Sequence, residues 1–316
     1  MSGLPDQAVE CVPNVSEGRR ADVIQQLCAV AAGVAGAYLL DVHSDPDHHR
    51  SVFTIVGSPA AVAEAVFRLG ELAVLSIDMR AHRGVHPRIG ALDVAPFVPL
   101  GQTTMNLCVG LAHALGRRIA TELGTPVYFY GEAALGPERK SLADVRRGEY
   151  EGLLGTIGTD PSRAPDLGPA SLGPAGATAV GARPPLVAFN MHLRSSDVNA
   201  AREIARAVRA SSGGLPGVQA LGLPTSRPGL VQVSINVTDL AETPLHIVAA
   251  RVQAEAQRIG VELAESELVG LMPAESSLAA AAALLALPGI ARTQIIESAY
   301  EDVARRAARQ GEAPRP

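Results

Sequence analysis

The sequence predicts an α/β (α+β) protein made of two successive βαββαβ units, each a mixed sheet with helices packed on it. Three observations carry that prediction. The chain has 316 residues of which 47% are hydrophobic, enough to fill two packed cores. Apolar runs of strand length alternate with segments of helical period. The same order of elements occurs twice, on either side of a stretch rich in Gly and Pro. That order is the ferredoxin-like one.

The first unit opens with an apolar run at Val9 to Val12, followed by a helix from Arg19 to Ala32 on which Val23, Leu27 and Val30 recur at spacings of three and four. Between them, Ser16 in Asn14-Val15-Ser16-Glu17-Gly18 is a natural helix N-cap. Ala37 to Val42 and Ser51 to Val56 read as strands joined by a very polar loop. Pro59 to Ser76 is helical, with Val62, Val66, Leu69 and Ala73 on one face, and Ala91 to Phe97 closes the set as a strand. A further helix, Thr103 to Leu123, carries Leu107, Leu111, Leu115 and Ile119 at four-residue spacing, and Pro126 to Tyr130 adds another strand. Gly152 to Pro185 then turns to Gly, Pro, Ala and Ser and reads as a long loop, a linker, or both.

The second unit repeats the pattern. Leu186 to Leu193 is extended, and Asp197 to Ala210 is helical with Ala201, Ile204 and Val208 aligned. Val218 to Leu223 and Leu230 to Val237 are strand-like, Pro244 to Ile259 is a helix on Leu245, Val248 and Val252, and Glu267 to Leu271 is a weaker extended run. The expected boundaries are residues 5–183, 184–300 and a disordered tail at 301–316, which is rich in Arg, Ala, Glu and Pro.

Charge and composition narrow the partners. With a net charge of −5 and no Lys/Arg cluster interleaved with aromatics, nucleic acid is not an expected partner. No run reaches the roughly 18 apolar residues of a membrane span, and the start of the chain lacks the pattern of a secretory leader, so a cytoplasmic location with no membrane partner is expected. The Ala-rich stretch Leu278 to Leu287 is too short and is stopped by Pro288-Gly289. Cys11, Cys28 and Cys108 are widely spaced in apolar runs and read as reduced core thiols. No phosphate-binding glycine loop, nucleophile elbow or kinase signature is present. Small molecules are the expected partners.

Two polar clusters could carry chemistry. Asp41-Val42-His43-Ser44-Asp45-Pro46-Asp47-His48-His49-Arg50 lies between two expected strands, where functional loops concentrate. It could hold a metal through His43, Asp45, His48 and His49, as in a metal-dependent hydrolase. Its spacing matches no closed zinc motif, however, and no metal is expected. It could instead bind a substrate carboxylate with Arg50 as bidentate partner, or be a solvated turn. The second cluster, Arg80 to Arg88, contains His82 and His86 with three arginines. A histidine exchanges protons near neutrality, nearby arginines favour anions, and Pro87 holds the backbone beside His86. Taken alone, these histidines read more readily as those of an ordinary surface loop.

Many spaced matches, in one order along nearly the whole chain, point to one family. They include Val9-Glu10-Cys11-Val12-Pro13-Asn14 with Ser16-Glu17-Gly18, His86-Pro87-Arg88 with Gly90-Ala91-Leu92-Asp93-Val94, and Tyr128 to Glu132. They continue through Gly148-Glu149-Tyr150-Glu151, Asp166 with Gly168-Pro169, Gly176-Ala177-Thr178, Gly181-Ala182-Arg183, Ala188-Phe189-Asn190, Gln232-Val233-Ser234 and Leu268-Val269-Gly270-Leu271. On these residues the chain resembles the glutamate formimidoyltransferase family, the folate-dependent part of formimidoyltransferase-cyclodeaminase, without the cyclodeaminase.

The resemblance implies two α/β subdomains, a homodimer, and transfer of a formimino group from N-formimino-L-glutamate to N5 of tetrahydrofolate, the co-substrate. It places the catalytic general acid/base on His86. The folate-contacting loop falls on Gly168, Pro169, Ala170, Ser171, Leu172, Gly173, Pro174, Ala175 and Gly176. Substrate contacts are expected from Asn14, Glu17, His43, His49, Arg50, Arg88 and Asn190, with the arginines on carboxylates. The family carries Asp where this chain has His43, beside the expected catalytic histidine, so N-formyl-L-glutamate stands as an alternative donor.

Overall fold

The computed structural model describes residues 7–296 together with Ser298 and Ala299. The chain divides after Pro185 into two compact units. The expected disordered tail at 301–316 lies outside the described residues.

In the first unit, strand β1 (Gln7–Cys11) and the short β2 (Asn14–Val15) are one line of chain interrupted at Val12-Pro13. Helix α1 (Ala21–Ala32), strands β3 (Ala37–Asp45) and β4 (Arg50–Gly57), helix α2 (Pro59–Ser76) and strand β5 (Leu92–Gly101) complete a βαββαβ set. Helix α3 (Met105–Glu122), strand β6 (Val127–Gly131), the short helices α4 (Leu142–Val145) and α5 (Glu149–Thr156), and strand β7 (Thr178–Ala182) extend it. The resulting seven-stranded sheet is mixed. β3 pairs with β4, the β1/β2 line lies between β4 and β5, and β7 and β6 are added in parallel beyond β5.

Side chains alternate across this sheet, so each face has its own core. Phe53, Ile55, Phe97 and Val180 pack with Val23, Leu27, Val66, Leu69 and Leu115 of α1, α2 and α3. Val94, Tyr128, Tyr130 and Ala179 turn the other way, toward Val145 of α4 and Leu153 of α5. Both faces of the central strands are therefore buried, whereas Tyr38 and Leu40 of the edge strand β3 are exposed. Cys11 and Cys108 are buried, Cys28 is partly so, and all three are free thiols.

The second unit runs β8 (Val187–Arg194), α6 (Val198–Val208), β9 (Val218–Pro224), β10 (Leu230–Val237), α7 (Leu245–Arg258), β11 (Glu262–Val269) and α8 (Ala274–Leu284). Its strand order is β11-β8-β10-β9, with every adjacent pair antiparallel, and its core joins Leu193, Val233 and Ile235 to Ile204, Val208, Val248 and Val252. The expected βαββαβ order holds. This sheet is antiparallel rather than mixed, because β10 inserts between the two strands that the crossover helix α6 joins.

Three local expectations are corrected, and one stretch without a stated element gains one. Strand β3 runs on to Asp45, so the polar segment 41–50 is mostly strand with a four-residue turn at 46–49. Ser16 is not a helix cap; α1 begins at Ala21, and the buried Ser16 hydroxyl donates to the Gly90 carbonyl at 2.7 Å. The 152–185 segment is not a continuous loop, since it holds most of α5 and the wholly buried strand β7. The Ala-rich stretch begins within a helix, α8. Among the described residues no helix is long and apolar enough to cross a membrane.

Candidate functional site

Register and alternation gather several of the marked residues on one sheet face, the one opposite Phe53 and Ile55. Arg50 lies across from Asp45, and His43 lies across from Val52. Asn14 sits between Val52 of β4 and Val94 of β5. The step from Val15 to Asn14 spans Leu92 to Val94, a bulge centred on Asp93. A bulge re-aims the extra side chain. Leu92 therefore packs against the helical core, while Asp93 and Val94 serve the other side.

His86 is held above this face by the loop between α2 and β5. Its Nδ1 lies 2.9 Å from the Pro87 carbonyl, and Nη1 of Arg50 lies 2.8 Å from Nδ1 and 2.9 Å from Nε2. An N–H on Nδ1 satisfies the carbonyl, which leaves the lone pair on Nε2 to accept from Arg50. The His48 ring stands 5.3 Å away, centroid to centroid. Burial, followed by the charges of Arg50, Arg146 and His48, pushes the His86 imidazole well below its ordinary pKa against the opposing Pro87 carbonyl. His86 is thus a neutral base at physiological pH. Arg50 is itself pulled down to about 9 by burial and by Arg146, with Asp93, Tyr130 and Asp45 pulling the other way.

Arg146, at the end of α4, pairs with the buried Asp93 through a short hydrogen bond, and the other Asp93 oxygen accepts from the Ile89 backbone N–H at 2.8 Å. Arg146 belongs to none of the motifs above, although Gly148-Glu149-Tyr150-Glu151 begins two residues after it. The available signal was a pair of arginines before a glycine whose φ of 79° only glycine adopts readily.

Behind His86 lies a second network that joins Glu17, His49, His82 and Arg88. Arg88 is buried; it donates to Glu149 at 2.8 Å, to both oxygens of Glu151 at 2.7 Å, and from Nε to His82 Nδ1 at 3.2 Å. Its remaining donor faces the His82 carbonyl at 3.4 Å. Every N–H of Arg88 is thereby engaged, so it braces the loop. His82 Nε2 donates to the His49 carbonyl at 2.9 Å, and the two imidazoles stack at 4.2 Å. Burial brings the His82 pKa down to about 4. His49, at the left-handed φ of 52°, faces the Arg83 carbonyl at 3.1 Å and Glu17 at 3.2 Å. Burial opposes ionisation of Glu17, but the backbone N–H groups of Arg20 and Arg19 and the Arg20 guanidinium hold its pKa below the usual carboxylate value.

The 168–176 segment is exposed along Gly168 to Ser171 and at Gly173 and Pro174, and pinned at its ends. The Pro174 carbonyl accepts from Met79 N at 2.7 Å, the Ala175 carbonyl from Ala91 N at 2.8 Å, and Gly176 bridges to Gly90. It is therefore stitched to the stretch that follows His86-Pro87-Arg88. Asn190 belongs to the second unit, where it is buried and donates to Glu267 at 3.3 Å. Among the described residues, no three His, Cys, Asp or Glu side chains form a group able to hold a metal ion.

The family profile described as "Formiminotransferase domain, N-terminal subdomain" matches residues 8–183, and that described as "Formiminotransferase domain" matches residues 188–307. The chain is 43% identical over 298 residues to the glutamate formimidoyltransferase of Thermoplasma acidophilum, covering 94% of this chain and 98% of that one. It is 42% identical over 269 residues to the glutamate formimidoyltransferase of Streptococcus pyogenes serotype M1, covering 85% and 90%. It is also 44% identical over 283 residues to the formimidoyltransferase-cyclodeaminase of Sus scrofa, of which it spans only 52%.

Proposed function

This chain belongs to the formiminotransferase family, and on that premise we propose that it moves the formimino group of N-formimino-L-glutamate to N5 of tetrahydrofolate. The observation that carries the reading is His86, a neutral imidazole fixed by the Pro87 carbonyl and set against a guanidinium. The N5 amine attacks the amidine carbon and loses a proton; the bond from that carbon to the glutamate nitrogen then breaks, and that nitrogen gains one. A single base can take the first proton on Nε2, once Arg50 releases that nitrogen, and return the second.

Arg50 is the natural partner for a donor carboxylate, and Asn14, whose buried Oδ1 has no partner among the described residues, can accept from a donor N–H. His43, on the same sheet face, is the residue whose contact would vary with the donor. Glu17, His49 and Arg88 support the loop from behind. The segment Gly168 to Gly176, anchored next to the His86 loop, supports a role in folate binding because its exposed backbone can line a flat ligand. Asn190 is retained as a substrate contact on the strength of the family motif. A homodimer in the cytoplasm completes the proposal, tested by light scattering and fractionation.

The deciding experiment is turnover of purified protein with tetrahydrofolate and N-formimino-L-glutamate, with N-formyl-L-glutamate in a parallel arm. Release of glutamate with formation of 5-formiminotetrahydrofolate is the expected result. Turnover of the formyl donor alone would replace the donor, and turnover of neither would overturn the reading.

A further inference from the structure

Arg50 comes from β4 and Arg146 from the end of α4, and among the described residues each has one charged or ring partner at hydrogen-bond distance: His86 for Arg50, Asp93 for Arg146. The Nε of each guanidinium is buried and, among the described residues, has no hydrogen-bond partner. A buried donor left unpaired is costly, and more so when it is charged. The neighbouring carboxylates offer no relief. Asp93 is occupied by Ile89 N and Arg146, and Asp45 by the backbone N–H groups of Asp47 and His48, at 2.7 and 2.9 Å, with the His48 ring beside it. Among the described residues, two buried guanidinium donors of the site, one on each arginine, therefore remain open.

We infer that Arg50 and Arg146, the latter held by Asp93, form a clamp for one carboxylate of the donor, and that carboxylate binding draws Arg50 off Nε2 of His86. The base is then uncovered only when the donor is seated. Arg146 becomes a specificity-determining residue for an anionic donor, and Asp93 its positioning residue. The inference rests on the proposed function for the identity of the donor, although the clamp itself requires only a carboxylate. Burial, and after it the charge of Arg146, lowers the pKa of Arg50, which agrees with an anion being the missing partner.

The test follows the His86 imidazole by NMR as pH is varied, with glutarate as the dicarboxylate probe and glutaramide as its uncharged counterpart. Arg50, Arg146 and His48 are the charged or titratable groups that face this ring. Glutarate is expected to raise the His86 pKa by about one unit or more by removing a donor and adding a negative charge, and glutaramide to leave it unmoved. Arg146→Lys keeps a cation opposite Asp93, so it should fold as wild type by circular dichroism. It should lose the glutarate response and raise the donor KM at least tenfold while the tetrahydrofolate KM stays constant. Arg50→Lys should lose the response as well. The clamp is overturned if glutarate at concentrations that block turnover leaves the His86 titration in place, or if Arg146→Lys keeps wild-type glutarate affinity and donor KM. Failure of the donor reading is distinct: glutarate would act as expected while formiminoglutamate was not turned over.

Discussion

At the level of single residues, His86 owes its role to neighbours more than to its own type. Removal of a positioned general base costs typically about 10²- to 10⁴-fold, so His86→Ala should lower kcat by that order while leaving the melting temperature within a few degrees. The acid limb of kcat/KM should lie below pH 6.5, because burial, Arg50, Arg146 and His48 all disfavour the imidazolium. Arg50→Met should move that limb upward, a shift that a merely structural role for Arg50 would not produce. The buried His82 gives a matching expectation for stability. Its folded pKa of about 4 lies below the ordinary 6.5, so the unfolded chain binds the proton more readily between those values. Stability should be complete above about pH 6.5 and fall as pH drops toward 4, and His82→Gln should flatten that dependence in urea titrations. His86 was legible in the sequence through its motif, and Arg50 through its charge. Arg146 was not, because its meaning depends on a bulge that turns Asp93 toward it from 53 residues away in the chain.

At the level of elements, helical period revealed every long amphipathic helix of the first unit, yet it hid strand β7. Thr178-Ala179-Val180-Gly181-Ala182 is composed like a loop and buried like a core strand. Its residues are small because it runs parallel between β5 and β6, and a Cβ on Gly181 would meet the Tyr130 ring. Composition signals a turn only when water can reach the backbone, and here the flanking strands exclude it. The same crowding joins the His86 loop to the 168–176 segment. A Cβ on Gly90 would collide with the backbone carbonyl of Ala177, which cannot swing aside as a side chain would. Gly90→Ala is therefore expected to destabilise the protein by about 1–3 kcal/mol, the usual cost of overpacking. It should also raise the tetrahydrofolate KM more than the donor KM. Equal effects on both substrates would show that the stitching at Gly90 and Gly176 is not what positions the folate segment.

At the level of the whole molecule, the two units reach a ferredoxin-like order with different surroundings, and this explains why the repeat was visible while its details were not. The first sheet carries packing on both faces and adds two parallel strands, whereas the second is a four-stranded antiparallel sheet with α6 and α7 supplying its core. Patterns of period two and 3.6 record which residues are buried, but not how many layers bury them. Separate cores make separate mutational signatures. Leu193 is fully buried among Ile204, Val208 and Val233, so Leu193→Ala should cost about 2–5 kcal/mol through lost transfer energy and the cavity left behind. The loss should appear as faster amide exchange in β8, β10 and β11, with the amides of β4 and β5 and the His86 imidazole titration unchanged. Phe53→Ala, in the core beneath Arg50, should do the reverse and disturb the His86 titration. If Leu193→Ala shifted His86 as strongly as Phe53→Ala, the electrostatics of the base would not be set within the first unit alone.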